Sequence, residues 1–389
     1  MVKKILFIVE SPFNQRDYKR FGFEQLKSRG FEVSVWDFTP LLRSKVYHNY
    51  SPRDAIKYKY HEIIADKSDF NKLSERLNNV IVIMLIGLRT DTKFIFKQLI
   101  NNKVFFGFID VGQIPNRPRH LFEKILSSIQ NPKLLLSKLM LSFQIQVNDH
   151  ISPDFIIVGG KKAYQSNRDL NNDNTKLIKA HTLDYDLYLN QEDKNSRRIV
   201  SDDYAVFLDE CVPFHPDYYY LNIKPDCSSE DYYPDINSFF DKVKSEFDTK
   251  VIIAAHPRSN YHKKGNPFNK RQYIYNETTN LVKYSKFVIV HASTATNFAV
   301  LYNKPIIFIS STKYSTKYQK LIRFHSTVFN KSPINISQES TIDFETEMKI
   351  DNDSYKNYKE DYIKETGTPE KSVWEIFADH CEDIKRNYN

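Results

Sequence analysis

Glycine is scarce: the 389 residues hold only 9, about a third of the ~7% share usual in soluble proteins. No GxGxxG opens a helix and no GxxxxGK(S/T) is present. A Rossmann dinucleotide enzyme, a P-loop NTPase and a protein kinase are excluded on that ground. Cysteine is sparse as well. Cys211, Cys227 and Cys381 lie far apart, with no CxxC pair and no histidine at zinc spacing, which reads as reduced thiols rather than a disulfide frame or a metal site. Long apolar runs are missing too. The longest, Val80 to Leu88, falls far short of the ~20 residues that span a bilayer. The opening MVKKILFIVE places a short apolar run between two lysines and Glu10, which suits a first β-strand better than a secretory leader. The expectation is a soluble cytoplasmic protein.

What is present is ordinary in bulk and informative in order. A 41% hydrophobic and 27% charged composition suits a globular protein, and the length suggests two domains. In the first half, apolar runs at Ile5–Val9, Phe31–Asp37, Val80–Leu88, Val104–Asp110, Phe155–Val158 and Leu177–His181 alternate with helical stretches. One such stretch is Arg16–Arg29, stopped by Gly30, and another is Asp91–Asn101; a longer helical segment spans Pro118–Gln146. Short apolar strands separated by helices indicate a parallel sheet covered on both faces. Asn190–Asp203 loses this periodicity and concentrates charge, which marks a linker. The alternation then restarts: strands at Tyr204–Leu208, Val251–Ala255, Phe287–Val290 and Pro305–Ser310 alternate with helices at Ser229–Phe247, Glu277–Tyr284 and Ala295–Tyr302. The expected fold class is α/β, two Rossmann-like domains whose parallel sheets face a central cleft. The first spans 1–190, the second spans 200–355, and a helical tail, 356–389, packs back on the first.

The chemistry-bearing residues cluster at strand C-termini of the second half, the edge where open parallel sheets bind ligands. In VIIAAHPRS, His256-Pro257 ends a strand and is followed by Arg258; in FVIVHASTATNF, a strand runs into His291, Ser293 and Thr294 before a helix; KPIIFIS follows. Glu277 opens the helix between the first two. Ser293 and Thr294 place hydroxyls and backbone N–H groups at a helix start, where an anion is favoured. Each feature alone has a structural explanation, a capping hydroxyl or a turn histidine; their succession in strand order points to a phosphate site. His291 is either a second phosphate contact or a packed residue, and Arg258, with Lys263 and Lys264, either meets a donor anion or lines an exposed basic loop.

This succession resembles the donor half of GT-B glycosyltransferases, and most closely the bacterial sialyltransferases and related nonulosonate or Kdo transferases that use CMP-activated sugars. The resemblance covers Val251–Ser310. It implies that His256 meets the CMP phosphate and assists its departure, that Ser293 and Thr294 bind the same phosphate, and that Glu277 holds the ribose. Those families carry an acidic D/E-D/E-G motif in the first domain as general base. Its nearest match is Asp110-Val111-Gly112, with Val111 in place of an acid, and Asp209-Glu210 is a rival pair.

The implied reaction is inverting transfer of an acidic sugar (sialic, pseudaminic or legionaminic acid, or Kdo) from its CMP donor to a hydroxyl of a bacterial surface glycan. Asp110 acts as base and His256 as proton or hydrogen-bond donor to the leaving phosphate. No metal and no cofactor is expected, the CMP-sugar being a co-substrate. The two DxD triplets, Asp184-Tyr-Asp186 and Asp351-Asn-Asp353, follow no early strand and read as structural or solvated, with a cleft-facing position the alternative for Asp184-Tyr-Asp186 at the first domain's end. The alternative is a CDP-glycerol, CDP-ribitol or UDP-sugar transferase. A net charge of +8 suits an anionic donor and a peripheral position on a membrane carrying a lipid-linked acceptor. Nucleic acid is not expected, since no aromatic-interleaved basic stripe or known module accompanies that charge.

Overall fold

The computed structural model describes residues 4–49, 52, 54–112, 114–115, 151–162, 174–193, 197–218, 223–338 and 342–387. The helical segment expected over 118–146 lies outside them.

Two all-parallel sheets organise these residues. The first has seven strands: β1 (Lys4–Val9), β2 (Glu32–Asp37), β3 (His61–Ile63), β4 (Val80–Met84), β5 (Phe105–Asp110), β6 (Phe155–Gly159) and β7 (Lys176–Ala180), in the order β3-β2-β1-β4-β5-β6-β7. The second has six: β8 (Tyr204–Leu208), β9 (Lys250–Ala255), β10 (Tyr273–Tyr275), β11 (Val288–Val290), β12 (Ile306–Ser310) and β13 (Ile334–Asn335), ordered β10-β9-β8-β11-β12-β13. Strands β4, β6 and β8 are buried along their whole length, as continuous apolar runs require when helices cover both faces. In each sheet the order reverses once, between β1 and β4 and between β8 and β11. Chain connections leave on opposite faces there, and a crevice opens at the strand C-termini. The α/β reading with two Rossmann-like domains therefore holds. β3, β10 and β13 are edge strands of two or three residues, too short for a periodicity signal.

The helix expected over Arg16–Arg29 is two: α1 (Gln15–Arg20) and α2 (Phe23–Ser28). Gly22 separates them in the left-handed region at φ 61°. A Cβ there would lie 2.1 Å from the Trp374 ring, whose Nε1 donates to the Arg20 carbonyl at 2.8 Å. Elsewhere Asn does the work of the missing glycines. Asn79, Asn269, Asn276, Asn303 and Asn330 all have positive φ, a conformation Asn tolerates best after Gly.

The chain ends where it began. α3 (Leu183–Asp193) follows β7 and continues into the stretch read as linker. Tyr355, Tyr358 and Ile363 pack in a core with β8 and β11 residues, and α7 (Val373–Asn387) then seats Trp374 and Phe377 in the core beneath β1 and β6. Three further helices matter below: α4 (Ser229–Phe247), α5 (Thr296–Leu301) and α6 (Thr316–Thr327). No helix among the described residues is long and apolar enough to cross a membrane.

Gly22→Ala combines an overlap with Trp374 and a left-handed φ that Ala disfavours. It is expected to destabilise the protein by more than about 2 kcal/mol and to loosen α7. A thermal melt within a degree of wild type would show that the α1–α2 joint tolerates a side chain.

Candidate active site in the interdomain cleft

A cavity of about 790 Å³ lies between the two sheets, lined by the C-terminal ends of β1, β4, β5, β8, β9 and β11 and by α1. Both strand-order reversals open into it. A second cavity of about 810 Å³ sits at the β13 edge, between α4 and residues 334–338, 342 and 344. It gathers none of the candidate residues.

From the second domain the cleft receives His256, Arg258, Ser293, Thr294, Glu210 and a residue the sequence reading did not single out, His215. β9 delivers His256 at its end, and the adjacent Asp209 fixes it. This buried carboxylate accepts from the His256 N–H at 3.0 Å, the Tyr261 hydroxyl at 2.8 Å and the Cys211 N–H at 2.8 Å, so Asp209 is a positioning residue. Burial raises its pKa. Cys211 turns the chain after β8 at φ 50°, a strained conformation for a non-glycine residue that Asp209 holds in place.

The His256 ring has one nitrogen engaged. The Arg258 N–H donates to Nδ1 at 3.3 Å, so the neutral ring carries its proton on Nε2. Burial first, then the nearby His215, Arg258 and Arg16, push its pKa well below the ordinary histidine value. The free protein therefore presents a neutral imidazole. His215 stacks obliquely at 4.8 Å, and its pKa is also lowered, chiefly by burial. Its sequence signal is plain in retrospect: His215-Pro216 is a second His-Pro dipeptide, following β8 as His256-Pro257 follows β9. Arg258 is tied down by Asp217 at 3.0 Å and His215 Nε2 at 3.3 Å.

The Ser293-Thr294 segment is a turn rather than the first turn of a helix. α5 begins at Thr296, and the N–H groups of Thr296 and Asn297 bond back to the carbonyls of Ser293 and Thr294. Ser293 Oγ accepts from the Ala295 N–H at 3.2 Å. Beneath the turn, Glu210 accepts from the Ala292 N–H at 2.8 Å and the Tyr318 hydroxyl of α6 at 3.1 Å. Burial pushes its pKa up to about 7. Among the described residues the N–H groups at 293 and 294 have no acceptor, which leaves them available to a ligand.

Three expected residues are not brought to the cleft. His291 is fully buried in an aromatic cage of Phe207, Tyr232 and Tyr318, with Nε2 3.0 Å from the Tyr314 hydroxyl. Of its two readings, packing holds, because β11 is buried on both faces. Glu277 caps the helix Thr278–Tyr284 and is exposed; β10 carries it to the sheet's outer edge, away from the order reversal. Asp110 is 4% exposed, and the cleft is lined instead by its neighbours Ile109, Val111 and Gly112. Alternate residues of a strand face opposite sides, so the phase that turns Ile109 and Val111 toward the cleft turns Asp110 away. Of residues 113–120 only 114 and 115 are described, and Ile114 reaches the cleft.

The first domain supplies other charges: Arg16, Asp17 and Arg20 of α1, Asp54, and Asp184 at the start of α3. Asp184 is held by Asn297 Nδ2 at 3.0 Å, across to α5. Asp54 accepts from the Arg16 N–H at 2.9 Å. The Asp17 side chain is 14% exposed, and burial raises its pKa against the pull of Arg16 and Arg20. Of the DxD triplets, Asp186 caps the start of α7 through the Val373 N–H at 3.0 Å, while Asp351 caps the helix Asn352–Tyr358.

No family model matches the chain, and no curated protein matches it in sequence. Solved structures match over nearly its whole length. MnaA from S. aureus in complex with UDP is 13% identical with a TM-score of 0.51, covering 99% of this chain and 97% of that one. The wall teichoic acid polymerase TagF is 10% identical with a TM-score of 0.51, covering 100% and 90%. UDP-GlcNAc 2-epimerase from Neisseria meningitidis bound to UDP-GlcNAc is 11% identical with a TM-score of 0.50, covering 98% and 100%. What is shared at such identities is the architecture: the chain has the GT-B arrangement of two Rossmann-like α/β domains.

Proposed function

We propose that the protein is a nucleotide-sugar-dependent glycosyltransferase of surface-glycan synthesis, moving an acidic sugar from a CMP donor to a glycan hydroxyl with inversion. One observation carries this reading. His256 and the open N–H groups of Ser293 and Thr294 meet in the crevice where the second sheet reverses its strand order, which is where such a fold binds a phosphate. Support from similar folds is general: MnaA and the Neisseria epimerase hold UDP and UDP-GlcNAc, and TagF is a polymerase of a wall polymer.

In this reading the donor phosphate lies on the 293–294 turn, and His256 Nε2–H donates to the oxygen that leaves the sugar. Both interactions strengthen as negative charge grows on the phosphate, so they lower the barrier rather than merely tighten binding. On the opposite wall, Asp17 takes the acceptor hydroxyl proton as the new C–O bond forms, and the phosphate departs with the old bond's electrons. Attack from the face opposite the leaving group inverts the anomeric centre. The chemistry calls on protein groups alone and needs no metal. A lipid-linked acceptor would hold the enzyme peripherally at a membrane.

The second reading, a UDP- or CDP-linked donor, is favoured by the nucleotides named for the similar structures. Melting the protein with CMP, CDP, UDP and GDP separates the two. A nucleotide at 100 times its Kd stabilises by about 2.7 kcal/mol. The expected outcome is a clear upward shift with CMP and a smaller one with UDP. An equal or larger shift with UDP transfers the assignment to the second reading, and no shift with any nucleotide ends both.

A further inference from the structure

The first-domain wall carries, beside the carboxylates of Asp17, Asp54 and Asp184, two arginines that the reaction described above leaves unused. Arg16 and Arg20 stand four residues apart on α1, hence on one face of the helix, and both line the cavity. Arg16 reaches Asp17 only at 3.8 Å. The Arg20 guanidinium has no hydrogen bond or ion pair among the described residues. Arg258, the other cleft arginine, is already committed to Asp217 and His215. Arg20 is also well anchored: its carbonyl accepts from Trp374 Nε1 at 2.8 Å, and the left-handed Gly22 follows two residues later. A fixed helix face that aims an unpaired guanidinium into a cleft is suited to an anion.

We propose that Arg20, backed by Arg16, is the subsite for the carboxylate of the transferred sugar. This rests on the acidic-sugar reading and gives it a residue. In a 2-keto sugar acid activated at C2, the carboxylate and the phosphate ester oxygen are bonded to the same carbon. Whatever binds the carboxylate must therefore lie beside the phosphate site, not elsewhere in the cleft. Arg16 and Arg20 meet that condition, since they line the same cavity as His256, Ser293 and Thr294. A neutral hexose carries nothing on its anomeric carbon to pair with Arg20. The same two arginines would thus select acidic from neutral donors, from the wall opposite the nucleotide.

Calorimetric titration of the full-length protein tests this, with CMP and with CMP-3-fluoro-sialic acid, an analogue that resists transfer. Arg20→Ala is expected to weaken the analogue by roughly 10–100-fold, the range for losing one partner of a desolvated charge pair. CMP itself should stay within about threefold, and Arg20→Lys should fall between, keeping the charge but losing the planar fork. Equal weakening of both ligands would place Arg20 on the phosphate or in the fold and overturn the subsite. So would an unchanged affinity for the analogue. Wild-type protein that binds CMP but gains nothing from the acidic sugar also overturns it while leaving the nucleotide reading intact; failure to bind CMP sinks that reading first.

Discussion

His256→Ala is expected to lower kcat by about 10²–10³-fold, the loss typical of one donor aimed at charge that develops in the transition state. The argument starts from the ring's surroundings. Its backbone is fixed by Asp209, and its Nδ1 is taken by the Arg258 N–H, so Nε2–H is the only donor it can offer. Burial keeps the free imidazole neutral, and a neutral ring still donates a hydrogen bond. The donor therefore works across pH 6–8 without a prior protonation step. For the free protein, kcat/KM should show no loss with rising pH through histidine's usual range. A bound phosphate raises the ring's affinity for a proton, but the neutral ring donates through the same Nε2–H, so no basic limb through histidine's usual range is expected in kcat either. Folding should be almost untouched, because the His256 ring packs against His215 at 4.8 Å and accepts one hydrogen bond, from the Arg258 N–H two residues on, at 3.3 Å. Melting and CMP titration of the variant separate a chemical defect from a structural one. An alanine variant that turns over at the wild-type rate removes His256 from the mechanism.

The sheets were legible because parallel strands buried on two faces must be short and wholly apolar, and Val80–Met84, Phe155–Gly159 and Tyr204–Leu208 are. What stayed hidden depends on partners remote in sequence. Nothing near Gly22 announces Trp374, 352 positions later, yet that contact breaks the predicted helix in two. The donor half was read from residues at strand ends, and His256, Ser293 and Thr294 do share one cleft. Glu277 and His291 come from the same strand-end logic and miss the cleft, because it says nothing of sheet order. β10 lies at the edge and β11 at the centre, and only the sheet order distinguishes an exposed end from a caged one. His215 was within reach as a second His-Pro dipeptide. Arg16 and Arg20 were visible as an i, i+4 pair, but their sequence does not say that this face looks into a cleft.

The base is where motif and geometry part most sharply, and replacement of Asp17 by Asn carries the second large expected effect: a fall in kcat of about 10²–10⁴-fold. The D/E-D/E-G resemblance points to Asp110, which is buried and absent from the cleft lining. Among first-domain carboxylates that do face the cleft, Asp184 is engaged by Asn297 and Asp54 by the Arg16 N–H. Among the described residues the Asp17 carboxylate pairs only with Arg16, at 3.8 Å, and it lines the cleft from the first domain. Burial raises its pKa above the usual aspartate value, which makes the carboxylate a better proton acceptor. The sign follows: activity should fall as pH drops through that raised pKa, when the carboxylate takes up a proton and can accept no other. Asn is close in size and cannot ionise, so Asp17→Asn should lose both the rate and the acid limb of the pH profile, with CMP affinity and melting temperature retained. Asp110→Asn serves as the control and should keep the wild-type rate and profile. A fully active Asp17→Asn enzyme beside an inactive but folded Asp110→Asn one would return the base to the end of β5, and would require a turn of that strand end before the acceptor could reach it.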